Sequence, residues 1–431
     1  MTVERFDAGG WFDSPWSRRR LDLGASAEAR SLVQEIVARV RQEGDSALFE
    51  YSRRFDGWAP GPGEPLELGR PEMEAAWDRL SPHRRAALEL AQRRIEEFHS
   101  TQLGPEVSGL PGLKLITRPV DRVGLYIPGG RAAYPSSVLM TAVPARVAGV
   151  GEISLATPPA ADGSVPIPVL AAAHLAGVDR IYRMGGAQAI SALAYGTASV
   201  RPVDLIAGPG NLYVTLAKRE VFGAVGIDGI AGPTEIMVVA DAGARPDLIA
   251  ADLASQMEHD PLAWAVLVTD SAGLIDAVDE ALEDLTPRLE RAEVVRGARC
   301  CLILAGSMDE AMRISNEFAP EHLEIIAADS DRLARLADNA GAIFLGPWAP
   351  VSLGDYVIGP NHTLPTAGAA RFGSPLGVYT FMKRSSLASL TEGDFGMLAE
   401  AAATLAEMEG LGAHAGALRA REVDLKGGRP G

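Results

Sequence analysis

Cysteine is almost missing from this 431-residue chain: there are two, Cys300 and Cys301, and they are neighbours. Adjacent Cα atoms lie about 3.8 Å apart, shorter than a disulfide ordinarily spans, so no disulfide framework is expected. A reducing compartment, the cytoplasm, fits that composition. Long apolar runs are missing too. The alanine-rich stretches are broken by proline, glycine or charge well short of the roughly 18 apolar residues of a membrane helix. The opening Met1-Thr2-Val3-Glu4-Arg5-Phe6-Asp7 lacks the basic-then-apolar order of a secretory leader. Positive charge is in deficit, with 40 Lys and Arg against 56 Asp and Glu, a formal charge of −16. That sign repels phosphate backbones and anionic lipid, so neither nucleic-acid nor membrane partners are expected. What the chain does have is 47% hydrophobic and 22% charged residues, the proportions of a folded protein with a real core.

The length suggests about three units, or two large ones with appendages. The first 115 or so residues read mostly as helix. Leu32, Val33, Ile36, Val37 and Val40 recur at helical spacing and Gly44-Asp45 punctuates the end. A second helix starts at Ser81-Pro82, and Trp58 to Pro65 is a proline- and glycine-rich loop. From about residue 117 the texture changes. Short apolar runs at Val123–Ile127, Ile153–Ala156, Ile236–Ala240, Trp264–Val268 and Cys301–Leu304 alternate with helical text, the pattern of βα units around a largely parallel sheet. There is an internal echo: Ala145-Arg-Val-Ala-Gly-Val-Gly-Glu-Ile153 is answered 28 residues later by Ala173-His-Leu-Ala-Gly-Val-Asp-Arg-Ile181. Each reads as a helix end, a glycine turn at Gly149 or Gly177, then a strand. Ala340-Gly-Ala-Ile-Phe-Leu345 reads as a third instance. After about residue 380 the chain is again helical and ends in a flexible Lys426–Gly431 tail.

Four glycine clusters follow or flank these runs: Ile127–Gly130, Met184–Gln188, Ala207–Asn211 and Gly229–Thr234. Open α/β sheets place ligands at such turns, yet none of the four is a GxGxxG, and Gly149-Val-Gly151 precedes its strand rather than following it. Each alone reads as well as a tight turn. Together, with Tyr126, Gln188 and Asn211 on them, they make a joint nucleotide site an even alternative. Of seven histidines, four lie in motif-like settings. Gln256 and His259 are three apart and are expected on one helix face, where two side chains can share a metal or simply be surface polarity. Asp355 and His362 sit in Gly354 to Pro365, expected to be a loop. Ala319-Pro-Glu-His-Leu323 reads as a helix start, which favours an ionised Glu321 and a neutral His322, the state of a general base; a capping Glu beside a surface His reads equally from the same text. Glu409 and His414 add a carboxylate and an imidazole. An amide, an aspartate and two or three imidazoles make a plausible N/O zinc set, although no HExxH and no Cys set is present.

Taken in order, these strings resemble the L-histidinol dehydrogenase family, over about residues 120 to 420. The resemblance rests on Val123 to Gly130 with Ala133 to Met140, then Ala207 to Val214, Ile227 to Ile236, Ser255 to Asp260, Ala319 to Glu324 and Gly354 to Pro365. It implies two incomplete, duplicated Rossmann-like parallel-sheet domains with small helical N- and C-terminal dimerisation segments. On that division residues 1–25 are an N-terminal helical segment. Residues 26–122 and 235–378 form a discontinuous domain on the metal and substrate side. Residues 123–234 form an inserted NAD-side domain, and 379–431 a C-terminal dimerisation segment.

The implied activity is the NAD-dependent, four-electron oxidation of L-histidinol to L-histidine through an enzyme-held aldehyde, with one zinc per subunit in a homodimer with shared sites. Carried onto this sequence, the zinc ligands are Gln256, His259, Asp355 and, from the second copy, His414. Tyr126, Gln188 and Asn211 fall on NAD positions. Thr234, which stands where the family more often has Ser, joins Gln256, His259, His322, Asp355, Glu409 and His414 at the substrate. His322 takes the alcohol proton and Glu321 activates water. A thiol route through a covalent thiohemiacetal is disfavoured, because Cys300 and Cys301 open an apolar strand-like run outside every motif. A related dehydrogenase for another small alcohol, a zinc hydrolase with the same ligands, and a non-catalytic scaffold are the alternatives.

Overall fold

The computed structural model describes residues 3–17, 26–104, 111–129 and 133–425. Residues 18–25 of the expected N-terminal segment, Gly130 of the first glycine cluster and the Lys426–Gly431 tail lie outside the described residues.

Strands in chain order are β1 (Val3–Asp7), β2 (Glu67–Leu68), β3 (Leu113–Pro119), β4 (Arg122–Tyr126), β5 (Glu152–Thr157), β6 (Arg180–Arg183) and β7 (Leu205–Ala207). They continue with β8 (Gly226–Ile227), β9 (Glu235–Ala240), β10 (Trp264–Thr269), β11 (Arg299–Leu304), β12 (His322–Ile326), β13 (Ala342–Leu345) and β14 (Met382–Ala388). Two six-stranded sheets result, in the orders β2-β6-β5-β4-β7-β8 and β1-β11-β10-β9-β12-β13. All pairings are parallel except β2 with β6. The orders are copies of each other: β4 and β9 are central, two strands run outward on one side, and the chain then crosses back to build the other. The expected α/β duplication is thus present, without either sheet being a complete Rossmann unit.

The apolar runs became strands because parallel strands are buried on both faces. Every residue of β9 is buried, its alternate side chains going to different clusters. Ile236, Val238 and Ala240 pack with Ile249 and Leu253 of helix Pro246–Met257, while Met237 and Val239 pack with Trp11 and with Phe318 of helix Met308–Phe318. The helical reading of the first hundred residues holds as well. In helix Ala27–Glu43 the Ser26 side chain caps Ala29 N, and Val33, Ile36, Val37 and Val40 are buried; Ser81 likewise caps Pro82–Ser100. Gly149 and Gly177, with φ of 88° and 71°, are left-handed at the two helix ends of the echo, where a side chain would be strained. The third echo differs: β13 is a strand, but the helix before it, Ser330–Ala334, ends well short of Gly341.

One expected helical segment is a strand. Val3–Asp7 pairs in parallel with β11, from Val3 beside Cys300 to Asp7 beside Leu304. Long-range pairing outweighs local propensity there. These elements, with the loops between them, form one compact unit of residues 1–103 and 119–381; residues 104–118 and 382–431 form a second. In the second, β3 pairs with β14, and helices Glu392–Met408 and Gly412–Leu425 follow, the first opened by a Thr391/Asp394 capping box. No described helix is long and apolar enough to cross a membrane.

Candidate active site

A cleft of about 970 Å³ opens in the larger unit. Pro128, Gly208, Gly210 and Asp228 line it from just beyond the C-terminal ends of β4, β7 and β8. Thr234, Glu321 and His322 line it from the N-terminal ends of β9 and β12, joined by Gln256, His259, Asp355 and His362. The first sheet obeys the rule that ligands sit beyond the carboxyl ends of strands; the second presents its amino ends to the same space.

The Ala319–Leu323 text is not a helix start. Helix Met308–Phe318 ends at Ala319, left-handed at φ 53°, Pro320 blocks continuation, and β12 begins at His322. The dipole argument for Glu321 and His322 therefore fails, and burial takes its place. His322 is 3% exposed. Its Nδ1 lies 2.9 Å from the Glu235 carbonyl, which can only accept, so Nδ1 carries the proton. Nε2 is then a buried lone pair with no hydrogen-bond partner. Burial pushes the imidazole's pKa down, against the pull of Asp355, whose Oδ1 is 3.9 Å from Nε2. The imidazole is neutral, as expected, but through burial rather than a helix dipole.

Glu321 reverses the expectation. Its Oε2 accepts from Thr234 Oγ1 at 2.6 Å and from Glu235 N at 2.9 Å. Burial nevertheless pushes its carboxyl well above the ordinary range, with Glu235 and Asp355 adding to the rise, so the acid form is favoured at rest. Thr234 commits its proton to Glu321 and accepts from Gln256 Nε2. Gln256 Oε1 is left buried with no partner.

Gln256 lies in helix Pro246–Met257, but His259 falls beyond its end in the following turn, and is exposed. Gly354 to Pro365 is not all loop: Asp355 is in the short helix Val351–Tyr356, and the loop follows. His362 Nδ1 donates to the Asp355 carbonyl at 2.9 Å, and burial lowers its pKa. Among the described residues no three His, Cys, Asp or Glu side chains cluster as a metal site on their own. A cation held here needs the Gln256 amide oxygen as well, and that oxygen is available.

At the first sheet, Tyr126 ends β4 and its hydroxyl accepts from Gly186 N at 3.1 Å. Gln188, in helix Gly186–Tyr195, donates through Nε2 to Asp56 at 3.1 Å, and Asn211 caps helix Leu212–Val221 by accepting from Tyr213 N and Val214 N. None of the three is among the residues lining the cleft. Gly208 lies so close to the Tyr126 backbone that a Cβ there would collide with its carbonyl oxygen. Glu409 caps helix Glu392–Met408 and His414 is exposed in helix Gly412–Leu425, both in the smaller unit. Cys300 and Cys301 are buried and unbridged, and burial drives the Cys300 thiol upward, away from thiolate chemistry.

Sequence reading passed over Asp56, Lys218, Asp228, Glu235 and Glu324. Asp56 also accepts from Gly185 N at 2.9 Å, and Lys218 donates to Asp228 and to the Gly208 carbonyl, fixing that glycine loop. Glu235 and Glu324 carried a visible signal: each is a lone carboxyl in an apolar strand, and such groups stay buried only with partners.

A family model described as histidinol dehydrogenase matches residues 20–422. The chain is 47% identical over 411 residues to the histidinol dehydrogenase of Parasynechococcus marenigrum strain WH8102, covering 94% of this chain and 93% of that protein. It is 49% identical over 416 residues to that of Moorella thermoacetica, covering 94% and 97%. The crystal structure of histidinol dehydrogenase from Elizabethkingia anophelis superposes with a TM-score of 0.92 at 32% identity, covering 99% of both chains.

Proposed function

The chain belongs to the histidinol dehydrogenase family and is an oxidoreductase, and from that premise we propose that it oxidises L-histidinol to L-histidine through an aldehyde held on the enzyme. We assign it NAD⁺ as the oxidant, one zinc ion per subunit and a cytoplasmic role in histidine biosynthesis. The observation that carries the reading is His322: a neutral imidazole, oriented through Nδ1–H, aims an unpartnered Nε2 lone pair into the cleft.

The residues at the second sheet's end of the cleft fit the metal. Gln256 Oε1, His259 and Asp355 offer oxygen and nitrogen donors to a borderline divalent ion, and His414 from a second copy of the chain completes the set. Zinc bound there supplies positioning for the amine and imidazole nitrogens of the substrate. NAD⁺, which accepts a hydride in each oxidation, is assigned to the first sheet's end of the cleft, with Tyr126, Gln188 and Asn211 on its side. Thr234, Glu409 and His414 complete the substrate side.

His322 Nε2 takes the hydroxyl proton as the alcohol is oxidised. Glu321 then acts in its ionised form, accepting a proton from the water that adds to the aldehyde. Its raised pKa makes it the stronger acceptor, while the bonds from Thr234 and Glu235 N preserve an ionised fraction. His322, once its first proton has passed to solvent, takes the hydrate's proton in the second oxidation. Exposed Met397, Leu398, Leu405 and Met408 on helix Glu392–Met408 support a homodimer, since an uncovered apolar helix face is costly in a single chain.

The deciding experiment is stoichiometry on purified protein. Two NADH per L-histidinol with no free aldehyde, activity lost to a chelator and regained with zinc, is expected. One NADH with released aldehyde, or indifference to the chelator, overturns the reading.

A further inference from the structure

Two carboxyls next to the site have no part in the steps above. Asp252 lies four residues before Gln256 on helix Pro246–Met257, so on the same helix face. Glu324 lies two residues after His322 on β12, so on the same face of the sheet. Glu324 is 2% exposed. Its Oε1 accepts at 2.8 Å from Val351 N, the first residue of the helix that carries Asp355. Its Oε2 is buried with no N–H or hydroxyl donor. The group that hydrogen-bonds it is the Asp252 carboxyl.

Two carboxyls bond to each other only when a proton lies between them. Burial supplies the condition, pushing Glu324 up to about 8 and Asp252 up to about 6, and among the described residues neither is in an ion pair with a cation. The two carboxyls share one proton.

Resting on the zinc reading above, we propose that the Asp252–Glu324 carboxyl pair is a positioning device for the metal donors: Glu324, bonded to both Asp252 and Val351, ties the helix ending in Gln256 to the helix bearing Asp355, across the strand that starts at His322. Neither carboxyl touches metal or substrate. Each acts through the element it holds, in the way outer groups hold metal ligands in register.

The test is metal binding by the full-length protein, stripped and then titrated with Zn²⁺ against a competing chelator and with Co²⁺ read by visible absorption. Glu324→Leu removes both bonds; it and Asp252→Ala are expected to weaken Zn²⁺ binding by about 10- to 100-fold and to alter the Co²⁺ spectrum. Glu324→Gln, whose amide still donates to Asp252 and accepts from Val351, is expected to bind both ions as the native protein does. KM for NAD⁺ stays unchanged in all three, because the pair lies on the second sheet's elements. Native affinity and spectrum in Asp252→Ala overturn the proposal, and so does a Glu324→Gln protein as impaired as Glu324→Leu. Should Glu324→Leu fail to fold, the contrast between Asp252→Ala and Glu324→Gln still decides. Native protein that binds neither ion overturns the zinc reading itself, a result separate from the other two.

Discussion

Replacing His322 with Asn isolates the base from its scaffold. The Asn amide nitrogen takes the place of Nδ1 and donates to the Glu235 carbonyl, the bond that holds the ring at 2.9 Å. What disappears is Nε2, the buried atom without a partner. A well-placed general base contributes about 10²- to 10⁴-fold, and each tenfold is about 1.4 kcal/mol, so the barrier to oxidation should rise by about 2.7 to 5.4 kcal/mol. The loss belongs in kcat, with KM for NAD⁺ little changed. The assay is initial-rate NADH formation on both L-histidinol and L-histidinal, since in the proposed route the same nitrogen serves both oxidations, and both rates should fall. The pH profile adds a sign. Burial lowers the pKa of His322, so the native base form persists below the ordinary imidazole range, and the acid limb should lie below about pH 6.5. A drop of less than tenfold in a His322→Asn protein that folds normally would refute the argument.

Glu321→Gln should spare the first oxidation and stop the second, leaving one NADH per histidinol and accumulated aldehyde; equal slowing of both steps would contradict the role given to that carboxyl. Replacing Cys300 and Cys301 together by Ala should leave kcat within about twofold, at a stability cost of about 1 to 3 kcal/mol for the emptied strand positions, and a collapse of activity in folded protein would revive the thiol route. Glu324 holds a proton up to about pH 8 in the fold and loses it near 4.5 when unfolded, so between those values only the folded state keeps it and stability drains away as pH rises. The slope approaches about 1.4 kcal/mol per pH unit. Melting curves of native and Glu324→Gln protein should therefore converge or cross between pH 5 and 8, and curves that stay parallel would count against the shared proton.

Much of this was legible because it is local. Val123–Ile127 and Ile236–Ala240 declare buried strands by unbroken apolar text, and Gly44, Ser81 and Gly149 mark helix ends through caps that need no tertiary partner. Glu321 and His322 could be singled out as an adjacent acid and base from text alone. Their setting could not. Pro320 fits the first turn of a helix and the stop after one equally well, and only the pairing of β12 between β9 and β13 decides. The same limit hid Val3–Asp7, whose partner is about 300 residues away in β11. Asp56, Glu235 and Glu324 acquire their meaning from Gly185, Ala367 and Val351, contacts between distant segments that no spacing rule carries.

The two sheets meeting head to tail give the cleft an electrical polarity of its own. Helices Pro135–Ala148 and Leu212–Val221 follow β4 and β7 and present their positive amino ends there, while Pro246–Met257 and Met308–Phe318 deliver negative carboxyl ends before β10 and β12. Backbone dipoles thus set up a gradient from one wall to the other that no titration or side-chain exchange can abolish. The first wall thus favours negative charge and the second positive charge, before any side chain makes a specific contact.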